Sequence, residues 1–204
     1  MSAIVLGGGD ALLIVDPQVD FLPGGSLGVP QGDAVLAPIN RLIDLYRTHG
    51  LPVYVSRDWH PALHCSFAGQ GGPWPVHCVA GSDGARFAPG LQLDDAIVVS
   101  KATTVDVDAY AAFNGTGLAD TLRERGIRRL VVCGLATDYC VLNTVLDGMA
   151  AGFEVLLATE AIRAVNVNAD DGDRALVRML DGGAMPVQLA GAGLVADLAL
   201  GAAA

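Results

Sequence analysis

Gly134-Leu135-Ala136-Thr137-Asp138-Tyr139-Cys140 sets a cysteine where a buried strand gives way to a helix. Upstream, residues 129–133 hold the apolar run Leu130-Val131-Val132 and read as a strand. Downstream, Val141, Val145 and Met149 recur at helical spacing, so a helix is expected to begin near Asp138. A thiol in the first turn of a helix faces unpaired N–H groups and the positive end of the helix dipole. Both favour thiolate, the nucleophilic form. An isolated cysteine is more often a small, inert core residue. The rest of the chain argues against that here.

The strand-then-helix rhythm extends in both directions. Residues 11–15, 52–56, 96–100, 153–158 and 185–189 are further strand-like runs. Helical periodicity covers 34–49, with Asp33 as the expected N-cap, Pro38 early enough to be tolerated and Gly50 as a stop signal. Residues 117–125 and 171–180 also read as helices. Alternating elements of this kind predict an α/β fold: three α-β-α layers around a six-stranded, mainly parallel sheet. No linker or internal repeat divides the chain, and one domain over residues 1–204 is expected.

Charge and cysteine usage narrow the function. A formal net charge of −10 argues against nucleic acid and anionic membranes as partners, because both demand clustered Lys and Arg. Cysteines 65, 78, 133 and 140 form no CxxC pair, which predicts free thiols in a reducing, cytoplasmic setting. No signal peptide is visible near the N-terminus. The apolar tail, 187–204, is interrupted by Gln188, Asp197 and glycines, and makes a poor membrane span. A docked final strand and helix are expected there, with part of the tail a candidate subunit contact in a homo-oligomer.

In an open parallel sheet, ligands bind beyond the carboxyl ends of the strands. Asp16, Asp58, Lys101 and Cys140 each fall at or just past a predicted strand end. Together they supply an acid/base, an ammonium and a nucleophile. Between the second and third strands, residues 57–93 lack periodicity, and so long a loop usually carries function. It holds His60, His64 and His77 beside Asp58, with Pro61 and Pro75 to stiffen it. Imidazole and carboxylate together suit a divalent transition metal. Phe21, Trp59, Phe67 and Trp74 flank these segments and offer faces for a flat aromatic ligand. Gly7-Gly8-Gly9 precedes its strand, so it is a lead-in and not a dinucleotide loop.

The segments 16–27 (DPQVDFLPGGSL), 58–67 and 74–78, with Lys101 and 134–140, resemble the nicotinamidases of the isochorismatase-like cysteine hydrolase superfamily. The resemblance covers roughly residues 10–190. It implies a catalytic triad of Asp16, Lys101 and Cys140. It implies an oxyanion hole from the backbone N–H groups of Ala136 and Cys140, beside a cis peptide at Leu135–Ala136. Asp58, His60 and His77 correspond to metal ligands, with His64 a further candidate. The ion expected first is Zn2+, with Fe2+ or Mn2+ as alternatives. Phe21 and Trp74 match the residues that hold a pyridine ring, and Leu135 and Tyr139 are assigned to the substrate pocket with them. The implied reaction is hydrolysis of nicotinamide, and of pyrazinamide, through a thioester. Arg57 and Ala102 depart from the usual residues beside the metal motif and the lysine, without removing a functional group.

Four other readings compete. Amidases of the same superfamily acting on carbamoyl or ureido substrates share the triad but commonly lack the Asp58, His60, His77 cluster. Isochorismatase proper lacks the cysteine nucleophile. A noncatalytic metal-binding protein would have no use for all three triad groups. A redox-sensing thiol would need a resolving cysteine, and none can be assigned.

Overall fold

The computed structural model describes residues 3–197. One sheet runs through them, built from β1 (Ala3–Ile4), β2 (Asp10–Val15), β3 (Val53–Asp58), β4 (Ile97–Lys101), β5 (Arg129–Leu135), β6 (Glu154–Arg163), β7 (Met185–Ala190) and β8 (Gly193–Ala196). Its order is β1-β8-β7-β6-β5-β2-β3-β4. The six expected strands are all present, each parallel to its neighbours, from β7 across to β4. The expected count of six is corrected to eight. β8 folds back from β7 through a two-residue hairpin loop, with Ala190 opposite Gly193, and β1 pairs antiparallel with β8. Both additions are short, and β1 forms the edge of the sheet. The expected final helix lies outside the described residues.

Strands β2 and β5 are fully apolar but for Asp10, Arg129 and Gly134, because helices cover both faces of the sheet. Alternate residues divide between two cores. Leu12, Ile14, Val131 and Cys133 face α1 (Leu36–Thr48), where Ile39, Leu42, Ile43 and Tyr46 are buried. Ala11, Leu13, Val15, Leu130 and Val132 face α2 (Leu118–Glu124), α3 (Leu142–Ala150) and α4 (Asp171–Asp181). Each fully buried Leu or Ile side chain adds about 1.5–3 kcal/mol of apolar transfer, which holds both layers to the sheet.

Asp33 does not cap α1. It sits inside a 3-10 turn, Gly32–Val35, that leads into the helix, and Val35 takes the N-cap without a side-chain bond. Asp10 clasps the glycine lead-in through a 2.7 Å bond from the Gly7 N–H. Among the described residues, no helix is long and apolar enough to cross a membrane.

The winding of the sheet positions the site. From β2 the chain moves outward to β3 and β4; from β5 it moves the other way, to β6 and β7. The crevice therefore opens where β2 and β5 lie side by side, with their carboxyl ends together. Gly134 makes this closeness possible. Its φ is +117°, and a Cβ there would lie 2.1 Å from the Val15 carbonyl oxygen. Gly134→Ala should cost about 3 kcal/mol or more, combining backbone strain with overpacking against β2. A denaturant midpoint indistinguishable from that of the parent would contradict this reading.

Candidate active site

Four strand ends deliver four side chains to the crevice. Asp16 follows β2 with φ at +45°; Asp58 and Lys101 are the last residues of β3 and β4; Cys140 lies in a single π turn, Thr137–Val141, after β5. Asp58 and Lys101 are direct partners in the parallel register. The Lys101 ammonium is the hub. Its Nζ lies 2.5 Å from Asp58 Oδ1, 3.0 Å from Asp16 Oδ2, 3.1 Å from the Ala109 carbonyl and 3.5 Å from Cys140 Sγ. The Ser56 hydroxyl donates a 2.7 Å bond to Asp16 Oδ1. Asp16 Oδ2 pairs with Lys101 without hydrogen-bond alignment, and a carboxylate oxygen of Asp16 lies within 4.8 Å of Cys140 Sγ.

Burial decides the protonation pattern. Desolvation alone would strip the proton from Lys101, but Asp16 and Asp58 outweigh it and hold the amine charged. Burial also works to raise Asp58, yet Lys101 and His60 together hold its carboxyl well below the usual range. At Asp16 burial wins over Lys101, and the carboxyl rises. Burial likewise pushes the Cys140 thiol up, against the pull of Lys101. Burial of Cys140 therefore opposes the helix terminus, which favours thiolate. Sγ is buried beside Asp16, a carboxyl whose proton affinity burial also raises.

The loop between β3 and β4 supplies a second cluster. Ligand-capable atoms of Asp58, His60 and His77 lie within 4.8 Å of one another, and all three residues are buried. Both ring nitrogens of His60 are buried without a hydrogen-bond partner, with Nε2 3.6 Å from Asp58 Oδ2. A buried polar group left unpaired costs about 1–3 kcal/mol. His77 commits Nδ1 to the Pro75 carbonyl at 2.8 Å, leaving Nε2 for a ligand bond. Two imidazoles and a carboxylate with an orphaned nitrogen fit a divalent transition metal. His64 is placed differently. Its Nδ1 meets the Ser66 hydroxyl at 2.7 Å and its Nε2 the Val107 carbonyl at 3.1 Å, while its ring packs 4.2 Å from that of His60.

Asp58 belongs to both clusters, one oxygen on Lys101 and the other toward His60. Gln18 fixes it there: the side-chain amide donates to the Asp58 carbonyl at 2.8 Å and accepts the Asp58 N–H at 2.7 Å.

A cavity of about 40 Å³ opens over Cys140. Phe21, His77, Trp74, Tyr110 and Tyr139 form much of its wall, with Ala136 at the base. The Trp74 Nε1–H donates to the Tyr110 hydroxyl at 3.0 Å, and Trp74 meets Tyr139 edge-on at 4.9 Å. The Leu135–Ala136 peptide is cis. Leu135, assigned to the pocket from sequence, does not line this cavity: its side chain is wholly buried in the core beneath α1. Trp59 stacks under the Arg57 guanidinium at 3.6 Å, away from the cavity lining. Tyr110, Val165, Ser56 and the Gln18 clamp escaped the sequence reading. Gln18 alone had a signal, lying inside the 16–27 segment.

The family model described as "Isochorismatase domain" matches residues 10–190. A nicotinamidase of Escherichia coli is 44% identical over 202 residues, covering 88% of this chain and 95% of that protein. A pyrazinamidase of Pyrococcus horikoshii, solved in complex with zinc, superposes with a TM-score of 0.85 at 44% identity, covering 89% of this chain and 99% of that one. PnC1 of L. infantum, solved with nicotinate, superposes with a TM-score of 0.85 at 38% identity, covering 92% and 96%.

Proposed function

The chain belongs to the isochorismatase domain family, and from that premise and its site we infer that it hydrolyses nicotinamide to nicotinate and ammonia through a thioester on Cys140. The observation that carries this reading is the buried Lys101 ammonium, in reach of Cys140 Sγ, Asp16 and Asp58 at once. Pyrazinamide differs from nicotinamide by one ring atom, and it is accepted too.

Phe21, Trp74 and Tyr139 hold the ring, each aromatic contact adding about 0.5–1.5 kcal/mol beyond its buried area. The Asp16 carboxylate takes the thiol proton as Cys140 Sγ attacks the carboxamide carbon. Lys101 stays charged and balances the negative charge as it moves from Asp16 to the reacting centre. The Ala136 and Cys140 N–H groups receive the oxyanion, each donor worth about 3–4 kcal/mol in such sites. Collapse of the tetrahedral species breaks the C–N bond, and the proton held on Asp16 goes to the departing ammonia. Water then gives a proton to Asp16 and attacks the thioester. Nicotinate leaves, and the thiol recovers its proton.

Asp58, His60 and His77 would hold a divalent ion, which we propose is zinc. When bound, it supplies a coordination point for the ring nitrogen and so orients the amide toward Cys140. His60→Ala should lower metal affinity by at least about 100-fold and raise KM for nicotinamide, while the fold persists. Full metal stoichiometry in that variant would contradict the ligand assignment. With four free thiols in the chain, a reducing cytoplasm is the proposed setting. The reaction itself is tested by following nicotinamide with the metal-loaded protein. Equal molar release of nicotinate and ammonia is expected, and no release from the fully loaded protein would overturn the reading.

A further inference from the structure

Building on the amidase reading, we propose that Asp138 is a positioning residue that limits the size of ring the cavity accepts. It does so by hanging the segment between β6 and α4 on the nucleophile's own turn. Asp138 lies in the π turn two residues before Cys140. Its Oδ1 accepts the Val165 N–H at 2.9 Å, and its Oδ2 accepts the Asn166 N–H at 2.8 Å. Neither bond belongs to a helix or a strand. Both cross from the catalytic turn to a connecting segment that they hold over the site.

The consequence falls on Val165, which lines the cavity together with Ala136, Tyr139 and Cys140. The other end of the segment is anchored separately. Asn166, with φ at +54°, accepts the Gly172 N–H on its Oδ1 at 2.8 Å. A Cβ at Gly172 would lie 2.6 Å from Ala164 Cβ, so segment and helix touch closely there. Of these two anchors, Asp138 is the one that joins the Val165 wall to the turn carrying the nucleophile. A carboxylate suits this task because it offers an acceptor oxygen to each of two adjacent N–H groups. An asparagine of the same shape offers one oxygen and turns a donor toward the other N–H. Asp138 touches no substrate on this account; it acts through Val165.

The test compares wild type, Asp138→Asn and Val165→Ala, all metal-loaded, on nicotinamide and on nicotinamides methylated at each ring carbon. In Asp138→Asn, KM for nicotinamide should rise roughly tenfold with kcat within about threefold, since ring contact is loosened while Cys140 and Asp16 keep their places. At least one methylated amide that wild type rejects should gain at least fivefold in kcat/KM relative to nicotinamide, an order-of-magnitude expectation for one methyl in a loosened pocket. Val165→Ala, with both Asp138 bonds intact, should favour the same isomer. The double variant should add little to that change, as expected for residues acting through one wall. An unchanged ranking in Val165→Ala overturns the proposal whether or not Asp138→Asn folds. A fall in kcat with KM and ranking unchanged in Asp138→Asn overturns it too, by making Asp138 a support for Cys140 instead. Failure of wild type to hydrolyse nicotinamide would sink the amidase reading; a flat ranking beside normal wild-type turnover would sink this inference alone.

Discussion

Cys140→Ala abolishes nicotinamide turnover, lowering kcat by about 10⁵-fold or more, as losing the nucleophile of a covalent mechanism does elsewhere. The structure makes the expectation specific. Cys140 is the thiol within 3.5 Å of the Lys101 ammonium, and it lies with Asp16 and Asp58 in one buried cluster at the cavity base. Cys65 is only partly buried, and its backbone is tied to the Val105 carbonyl outside the cavity lining. Cys78 and Cys133 are buried in the core facing α1. Loss of one small buried side chain leaves Asp58, His60 and His77 in place, so metal content should match the parent. Binding of nicotinate should also persist. Equilibrium dialysis and metal analysis check both points. Activity within tenfold of wild type would remove Cys140 from the nucleophile's role.

Lys101→Met should damage both stability and catalysis. The ammonium is fully buried between two carboxylates, one of them 2.5 Å away. Met has nearly the same length but no charge, and it leaves Asp16 and Asp58 facing each other in a dry site. Breaking a buried ion pair from one side costs about 3–5 kcal/mol, because the remaining charge has no compensation. One carboxyl must then take up a proton. Asp16 is the group that does so, since burial already raises it while His60 still stabilises ionised Asp58. A protonated Asp16 cannot receive the thiol proton, so kcat should fall by about 10⁴-fold even at temperatures where the variant stays folded. Denaturant unfolding and steady-state kinetics measure the two effects separately. Stability within about 1 kcal/mol of wild type would contradict the central role given to the ammonium.

The six parallel strands were legible because each is a short, continuous apolar run bracketed by turn residues. β1 and β8 were not, for they are short pieces among alanines and glycines, without the alternation that marks a longer strand. The four reactive side chains were legible because strand ends are where an open parallel sheet gathers its chemistry. Their sharing was hidden. That Asp58 sits opposite Lys101 depends on the β3–β4 register, which pairs residues 43 apart in sequence. Leu135 was misplaced for a reason of parity. It shares the odd-numbered side of β5 with Val131 and Cys133, and that side packs beneath α1. Tyr110 and Val165 lie between regular elements, where no periodicity points inward. A helix terminus that favours thiolate is a local signal, whereas the burial that opposes it at Cys140 comes from the whole fold.

The most direct test of the thioester account is product partitioning in the presence of hydroxylamine. If nicotinamide is cleaved through an acyl group on Cys140, hydroxylamine competes with water for it. Nicotinohydroxamate should then form at the expense of nicotinate, in proportion to the hydroxylamine added, with no hydroxamate from Cys140→Ala. Nicotinate as the sole product at every hydroxylamine concentration, from a wild-type enzyme still turning over, would contradict a covalent intermediate and point to direct attack by water.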